Sequence, residues 1–217
     1  MADKNLIAAN SMDLSKKAGT ESSTQVYRSG QTIFTQGDKA DAIFYIQRGH
    51  VKLTVMSKGG KKAVIGILRQ GDLFGEGCLT QKSLRTSTAT VIQLSNITRV
   101  KRADIARTIH REPAFAKLFI SHLLFRIGRV EDGLVDQVCI TSERRLARIL
   151  LLLAGFGMQS NADPDLPKVS QETLAEMVGT TRSRVSHFMN HFREMGFIDY
   201  NGSLHVHEGL RAFLLDE

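Results

Sequence analysis

The stretch VSQETLAEMVGTTRSRVSHFMNHFREMGFI, residues 169–198, decides the fold of this chain. Ser170 suits an N-cap, because its hydroxyl can accept from an orphan N–H of the first turn. The helix it opens has a buried side of Leu174, Ala175 and Val178, and small Ala175 permits close approach of a second helix. Gly179 stands where that helix must stop and turn on a positive φ. Thr181 then caps a second helix whose inward side is Val185, Phe188 and Met189. Capped helix, glycine turn and second capped helix together predict a helix-turn-helix. The outward side of the second helix bears Arg182, Ser183, Arg184, Ser186 and His187 in its first two turns, the part that reaches base edges when such a helix enters the major groove. Arginine there can donate two hydrogen bonds to guanine O6 and N7, while Ser170, Gln171 and Thr181 suit phosphate oxygens. Two arginines on a helix are ordinarily just solvated, and it is the Ala-Gly-Thr framework beneath them that turns the reading toward DNA. FIDYNGSLHVH follows, two short strands around Asn201-Gly202, which predicts a hairpin wing.

Working outward, residues 138–217 form one mostly helical domain, with SERRLARILLLLAGFG before a polar loop, SNADPDLPK. Upstream, Pro113 suits the first turn of a long helix over 113–137. Along it Ala116, Ile120, Leu123, Ile127, Val130 and Leu134 recur at spacings of 4, 3, 4, 3 and 4, a heptad seam flanked by Arg126 and Arg129. Phe119, Leu124 and Phe125 are expected to pack the other flank onto the preceding domain, leaving the seam for a second copy of the chain. A helix buried within its own subunit is the competing reading of the same spacing.

Residues 25–112 are mainly β. Runs at Thr32–Phe34, Ala42–Ile46, Val51–Met56, Ala63–Leu68 and Thr88–Leu94 are separated by glycine turns, which indicates an antiparallel sandwich or barrel. Within it FGEGCLTQKSLRTSTATV, residues 74–91, sets glycines around Glu76 and then Arg85 beside Thr86, Ser87 and Thr88. A glycine-rich turn, one guanidinium and adjacent hydroxyls make a site for a small phosphate, although a plain structural Glu–Arg bridge has the same ingredients. Residues 1–24 read as a mostly polar flexible tail with no signal-peptide core.

The chain has 217 residues and a net charge of +7, so a polyanion is the first partner to consider. The surplus is misplaced for that simple argument: residues 141–217 carry 8 Lys and Arg against 10 Asp and Glu, a net of −2, and the rest carries +9. DNA binding must therefore rest on local placement of Arg182, Arg184 and helix N-termini. Two cysteines, Cys78 and Cys139, exclude a disulfide framework and a cysteine-held cluster, which fits a reducing cytoplasm, and no apolar run is long enough for a membrane span. No Walker loop, HExxH or Gly-x-Ser-x-Gly is present, so an enzyme is not expected.

IFTQGDKADAIFYIQRGHVKL, GDLFGEG, RTSTATV, RRLARILLLLA and the helix-turn-helix segment resemble, over residues 25–212 and in the same order, the cyclic-AMP receptor protein and fumarate–nitrate regulator superfamily. The resemblance implies an α+β chain: an N-terminal cyclic-nucleotide-binding-type β-roll (jelly roll), a dimerisation helix, and a C-terminal winged helix-turn-helix. It implies a homodimer on a palindromic DNA operator, with RNA polymerase as a further partner and cyclic AMP or another cyclic nucleotide as effector. By resemblance Gly75 and Thr86 present donors to the cyclic phosphate, Arg85 neutralises it and Glu76 accepts from the ribose 2′-hydroxyl. The sequence departs at Ser87, where the family usually has Ala, and at Val130 and Glu131, where cyclic-AMP-responsive members place Thr and Ser to read adenine. In the reading helix Arg182 is kept, while Ser183 replaces an acid and His187 an arginine. Residues 1–40 hold no cysteine, which excludes an oxygen-sensing cluster, and Cys78, His50, His110 and His122 read as ordinary residues rather than haem ligands. A ligand-independent regulator, or one responsive through a redox-active Cys78, is the alternative; a nucleotide-binding adaptor without a DNA role would lack the helix-turn-helix.

Overall fold

The computed structural model describes residues 23–60, 62–81, 83–154, 169–200 and 204–215. The chain divides into two compact units, Met1–Val130 and Glu131–Glu217. Among its described residues the first holds eight strands: β1 (Ser23–Tyr27), β2 (Thr32–Phe34), β3 (Ala42–Arg48), β4 (His50–Met56), β5 (Lys62–Arg69), β6 (Leu73–Phe74), β7 (Thr88–Val91) and β8 (Ser95–Lys101). They form two four-stranded antiparallel sheets, in the orders β1-β8-β3-β6 and β2-β7-β4-β5. Helix α1 (Arg102–Arg111) follows, and then α2 (Pro113–Cys139), whose chain continues from the first unit into the second.

The sequence AIFYI in β3 is apolar without alternation because both of its faces are covered. Ala42, Phe44 and Ile46 enter the core between the sheets, with Phe34, Leu53, Phe74 and Val91. There the Phe34, Phe44 and Phe74 rings lie 5.2–6.0 Å apart, within the range of favourable aromatic pairs. Ile43 and Tyr45 point the other way, into a second core with Val100, Ile105 of α1 and Phe119 of α2.

Ser23 and Thr24, assigned to the tail by composition, instead pair with Arg99 and Thr98 in β1. On α2, Phe119 packs on the β-roll as expected, whereas Leu124 and Phe125 are largely exposed, at 62% and 48%. Leu123 takes their place, half-buried against the second core, and Ala116 is also half-buried. The exposed apolar stripe is thus Ile120, Leu124, Ile127, Val130 and Leu134, rotated slightly from the expected seam, with Ile120, Ile127 and Leu134 keeping the seven-residue repeat.

The second unit contains α3 (Ser142–Leu153), α4 (Gln171–Val178), α5 (Arg182–Glu194), the antiparallel strands β9 (Ile198–Tyr200) and β10 (Leu204–Val206), and α6 (Leu210–Leu215). Leu146, Ala147 and Leu150 of α3 are buried, as are Leu174 of α4, Phe192 of α5, Ile198 and Leu210. The polar loop and the Asn201-Gly202 turn lie outside the described residues.

Candidate nucleic-acid interface and phosphate cassette

The helix-turn-helix is assembled by the caps and the turn that its sequence contains. Ser170 Oγ accepts from the N–H of Thr173, and Thr181 Oγ1 from that of Arg184, each tying down an orphan donor of its helix. Gly179 has φ +72, and its N–H donates to Ala175 O, closing α4. Leu174, Ala175, Val178, Val185, Phe188 and Met189 are all buried, and they are joined by Met177 and Phe192. Arg145 of α3 braces the turn by donating through Nε to Val178 O.

At 3.6 residues per turn, Arg182, Ser183, Ser186 and His187 share an arc opposite the buried Val185 and Phe192. Arg182, Ser183 and His187 are exposed and Ser186 half-buried. Arg184 is exposed as well but sits toward the trailing edge, its guanidinium 5.7 Å over the Phe188 ring. Exposed Asn190 falls on the same arc one turn beyond Ser186 and His187, and sequence reasoning stopped short of it. Ser170 and Thr181 are exposed and Gln171 half-buried.

In the β-roll the cassette is built around one buried cation. Arg85 is 6% exposed; Nη1 donates to Gly75 O at 3.1 Å and Nη2 to Ala42 O at 2.8 Å, and the guanidinium lies 4.3 Å from the Phe34 ring centroid. Burial pushes its pKa down, while nearby Cys78 and Asp41 oppose that shift. Gly75, at φ +81, begins the 3-10 turn Glu76–Leu79; a Cβ there would meet Arg85 Nη1 at 2.7 Å. Thr86 is exposed and Ser87 buried. Glu76 Oε2 lies 2.9 Å from Arg126 Nη1, a charge contact off the hydrogen-bonding axis, so this buried oxygen accepts no hydrogen bond. Arg85 Nε is likewise buried with no partner. The unfilled donor on Arg85 fits a ligand carrying an anionic oxygen, whereas Glu76 Oε2 is already held by the Arg126 guanidinium.

Sequence reasoning set Arg126 and Arg129 beside the seam, but they face the β-roll. Arg126 Nη1 also donates to Leu73 O, while Arg129 Nη2 donates to Ile67 O and its Nη1 lies 3.4 Å from Asp72. His122, one turn before Arg126, is buried, and its Nε2 accepts from the Leu73 N–H at 3.2 Å. Burial lowers its pKa, with Asp72 opposing. His122, Arg126 and Arg129 recur at i, i+4 and i+7, a pattern that marks one helix face but not which partner it meets. Cys78 is fully buried and burial raises its thiol pKa, the reverse of a redox-active thiolate. His50 Nδ1 lies 2.9 Å from Gln93 Nε2. Among the described residues no three His, Cys, Asp or Glu side chains gather to hold a metal, and no helix is long and apolar enough to cross a membrane.

A β-roll with this cassette, followed by a winged helix-turn-helix, defines a class of transcription regulators. The cyclic nucleotide-binding domain matches residues 24–112, and the Crp-like helix-turn-helix domain matches residues 144–213. The cyclic AMP receptor protein of Thermus thermophilus is 30% identical over 195 residues, 89% of this chain and 86% of its own. The chain belongs to the Crp/Fnr superfamily of transcription regulators. A CRP-like cAMP-activated global transcriptional regulator of Mycobacterium tuberculosis is 28% identical over 80% of this chain and 78% of its own. The solved structure of FixK2 from Bradyrhizobium japonicum shares the fold at a TM-score of 0.77, with 18% identity over 91% of this chain and 98% of that one. Regulators of this family bind DNA through the helix-turn-helix domain and act as dimers.

Proposed function

We propose that the protein is a homodimeric regulator of a palindromic operator whose DNA affinity is set by a cyclic nucleotide in the β-roll. The observation that carries the effector half is Arg85 Nε, buried in the cassette with no partner. Arg85, with Gly75 and Thr86, would hold the cyclic phosphate, and Glu76 the ribose hydroxyl. Val130 and Glu131 supply no Thr-Ser pair for adenine, so the base is left open between adenine and guanine. In each subunit the exposed stripe from Ile120 to Leu134 would face its copy, and Arg182 would read a guanine in each half-site, the half-sites lying about 34–36 Å apart. Arg184, drawn over Phe188, is better placed for phosphate than for bases, and RNA polymerase is the expected downstream partner. A ligand shifts such a dimer only by its differential affinity for two geometries, about 5.5 kcal/mol for a swing from 1:99 to 99:1.

The test is selection of binding sites from random DNA with and without cyclic AMP and cyclic GMP, run on the parent and on Arg182→Ala. The parent should return a palindrome, and the variant the same palindrome with one guanine relaxed. An unchanged motif in the variant removes Arg182 from base reading. One observation favours a regulator that needs no effector: both Arg85 Nη atoms and the Glu76 carboxylate already have protein partners. Calorimetry separates the readings, since no heat with either nucleotide and unaltered DNA affinity would rule out control by cyclic AMP or cyclic GMP.

A further inference from the structure

We infer that the β-roll carries a second anion site, separate from the cassette, that takes a small phosphate-bearing molecule where β8 runs into α1. An open depression of about 430 Å³ lies there, lined by Lys39, Arg99, Lys101 and Arg102 around a single acid, Asp41. That acid is already engaged: Oδ2 receives Arg99 Nη2 at 2.7 Å, and Oδ1 lies 3.8 Å from Arg85 Nη2. One carboxylate shared by two guanidinium groups cannot also neutralise Lys39 and Arg102, so the depression keeps an excess of positive charge.

The backbone adds to this field. Helix α1 starts at the depression, and its N-cap, Lys101, provides no side-chain cap. The first-turn acid that would ordinarily offset the helix dipole, Asp104, is drawn instead to Arg107. The Arg102 N–H already donates to Asp41 O at 2.8 Å, so the helix start is partly capped, and the positive side chains beside it repel one another until an anion bridges them.

The shape favours a small molecule. The volume falls within the range of about 300–1,000 Å³ typical of small-ligand pockets. Ala103 and Ala106 line the α1 side, so no long side chain from those two positions fills the space. The proposal does not depend on the cassette binding a nucleotide.

The experiment is a calorimetric titration of the full chain with inorganic pyrophosphate at constant ionic strength. One saturable site per chain is expected. Arg102→Ala and Lys39→Ala, both at exposed positions, should each weaken it about tenfold, the loss of one charge-assisted contact. Ala103→Glu, on the exposed surface of a helix start that tolerates acids, should keep the fold by circular dichroism and abolish binding. Thr86→Val should leave it unchanged. Absence of a saturable pyrophosphate site overturns the inference, as does undiminished binding in Ala103→Glu. Loss in Thr86→Val would assign the anion to the cassette. Binding of an operator-free duplex or an acidic peptide, but not of pyrophosphate, at the same residues would make the depression part of a macromolecular contact and refute the small-molecule site.

Discussion

Gly75→Ala is the sharpest probe of how the cassette is held. Gly75 adopts φ +81, a conformation that costs an L-residue about 1–2 kcal/mol. Its new Cβ would stand 2.7 Å from Arg85 Nη1 and 3.3 Å from both Ala42 O and Phe44 Cδ2. The guanidinium cannot move far, being buried between Phe34 and the Ala42 carbonyl, so the Nη1 bond to Gly75 O is the contact that gives way. A hydrogen bond from a charged donor is worth about 1.5–3 kcal/mol, which brings the total to about 2.5–5 kcal/mol. Gly30→Ala is the matched control, because its φ is +82 and nothing lies within 4 Å of the added Cβ; it should cost only the backbone part, about 1–2 kcal/mol. Urea unfolding followed by tyrosine fluorescence reports on the first unit, since the chain has no Trp and two of its three tyrosines, Tyr27 and Tyr45, lie there. With a slope of about 2 kcal/mol per molar urea, the midpoint should fall by about 1–2.5 M for Gly75→Ala and about 0.5–1 M for Gly30→Ala. Equal shifts in the two variants would refute the link between Gly75 and Arg85.

Three further outcomes are expected. Ile127, 52% exposed between Ile120 and Leu134, should tolerate Asp in the fold but not in the dimer, so Ile127→Asp should sediment as a monomer; a variant that remains dimeric rejects the stripe as the interface. The depressed pKa of His122 means that the unfolded chain takes up a proton near the usual 6.5 while the folded one resists, so stability is full above that pH and declines as pH falls from 6.5 toward the folded value. His122→Gln should flatten that decline in unfolding curves taken from pH 7 to 5, and an unaltered profile would place the titrating group elsewhere. Iodoacetamide should leave Cys78 unmodified in the native protein and label it in urea, as read by peptide mass spectrometry; rapid native labelling would restore the redox alternative.

The helix-turn-helix was almost wholly legible because each of its parts has a local cause: the hydroxyls of Ser170 and Thr181, the positive φ of Gly179, and the spacing of apolar residues between them. The cassette was legible as an ingredient list, but the burial of Arg85 was not, since it depends on Phe34, Phe44 and Ala42, distant in sequence. Strand β8 escaped notice because SNITRVK mixes polar and apolar residues; its Thr98 is buried through side-chain bonds with Thr24 and Gln47, a solution that no local pattern announces. On α2 the seven-residue period is visible in the exposed Ile120, Ile127 and Leu134, while Ala116 and Leu123 of the expected seam are half-buried. Leu123 and Leu124 are neighbours in sequence, and only the β-roll surface decides which of them is covered.

Strand β3 has a mechanical consequence. The Ala42 carbonyl receives the Arg85 guanidinium, and the very next side chain, Ile43, belongs to the core shared with Ile105 and Phe119. Charge binding and helix seating are therefore one peptide apart. An anion that drew Arg85 from Ala42 would tilt that peptide, and a strand packed on both faces has no slack to absorb the tilt. The helix that carries the dimer stripe would be levered by the same rigid segment that feels the charge.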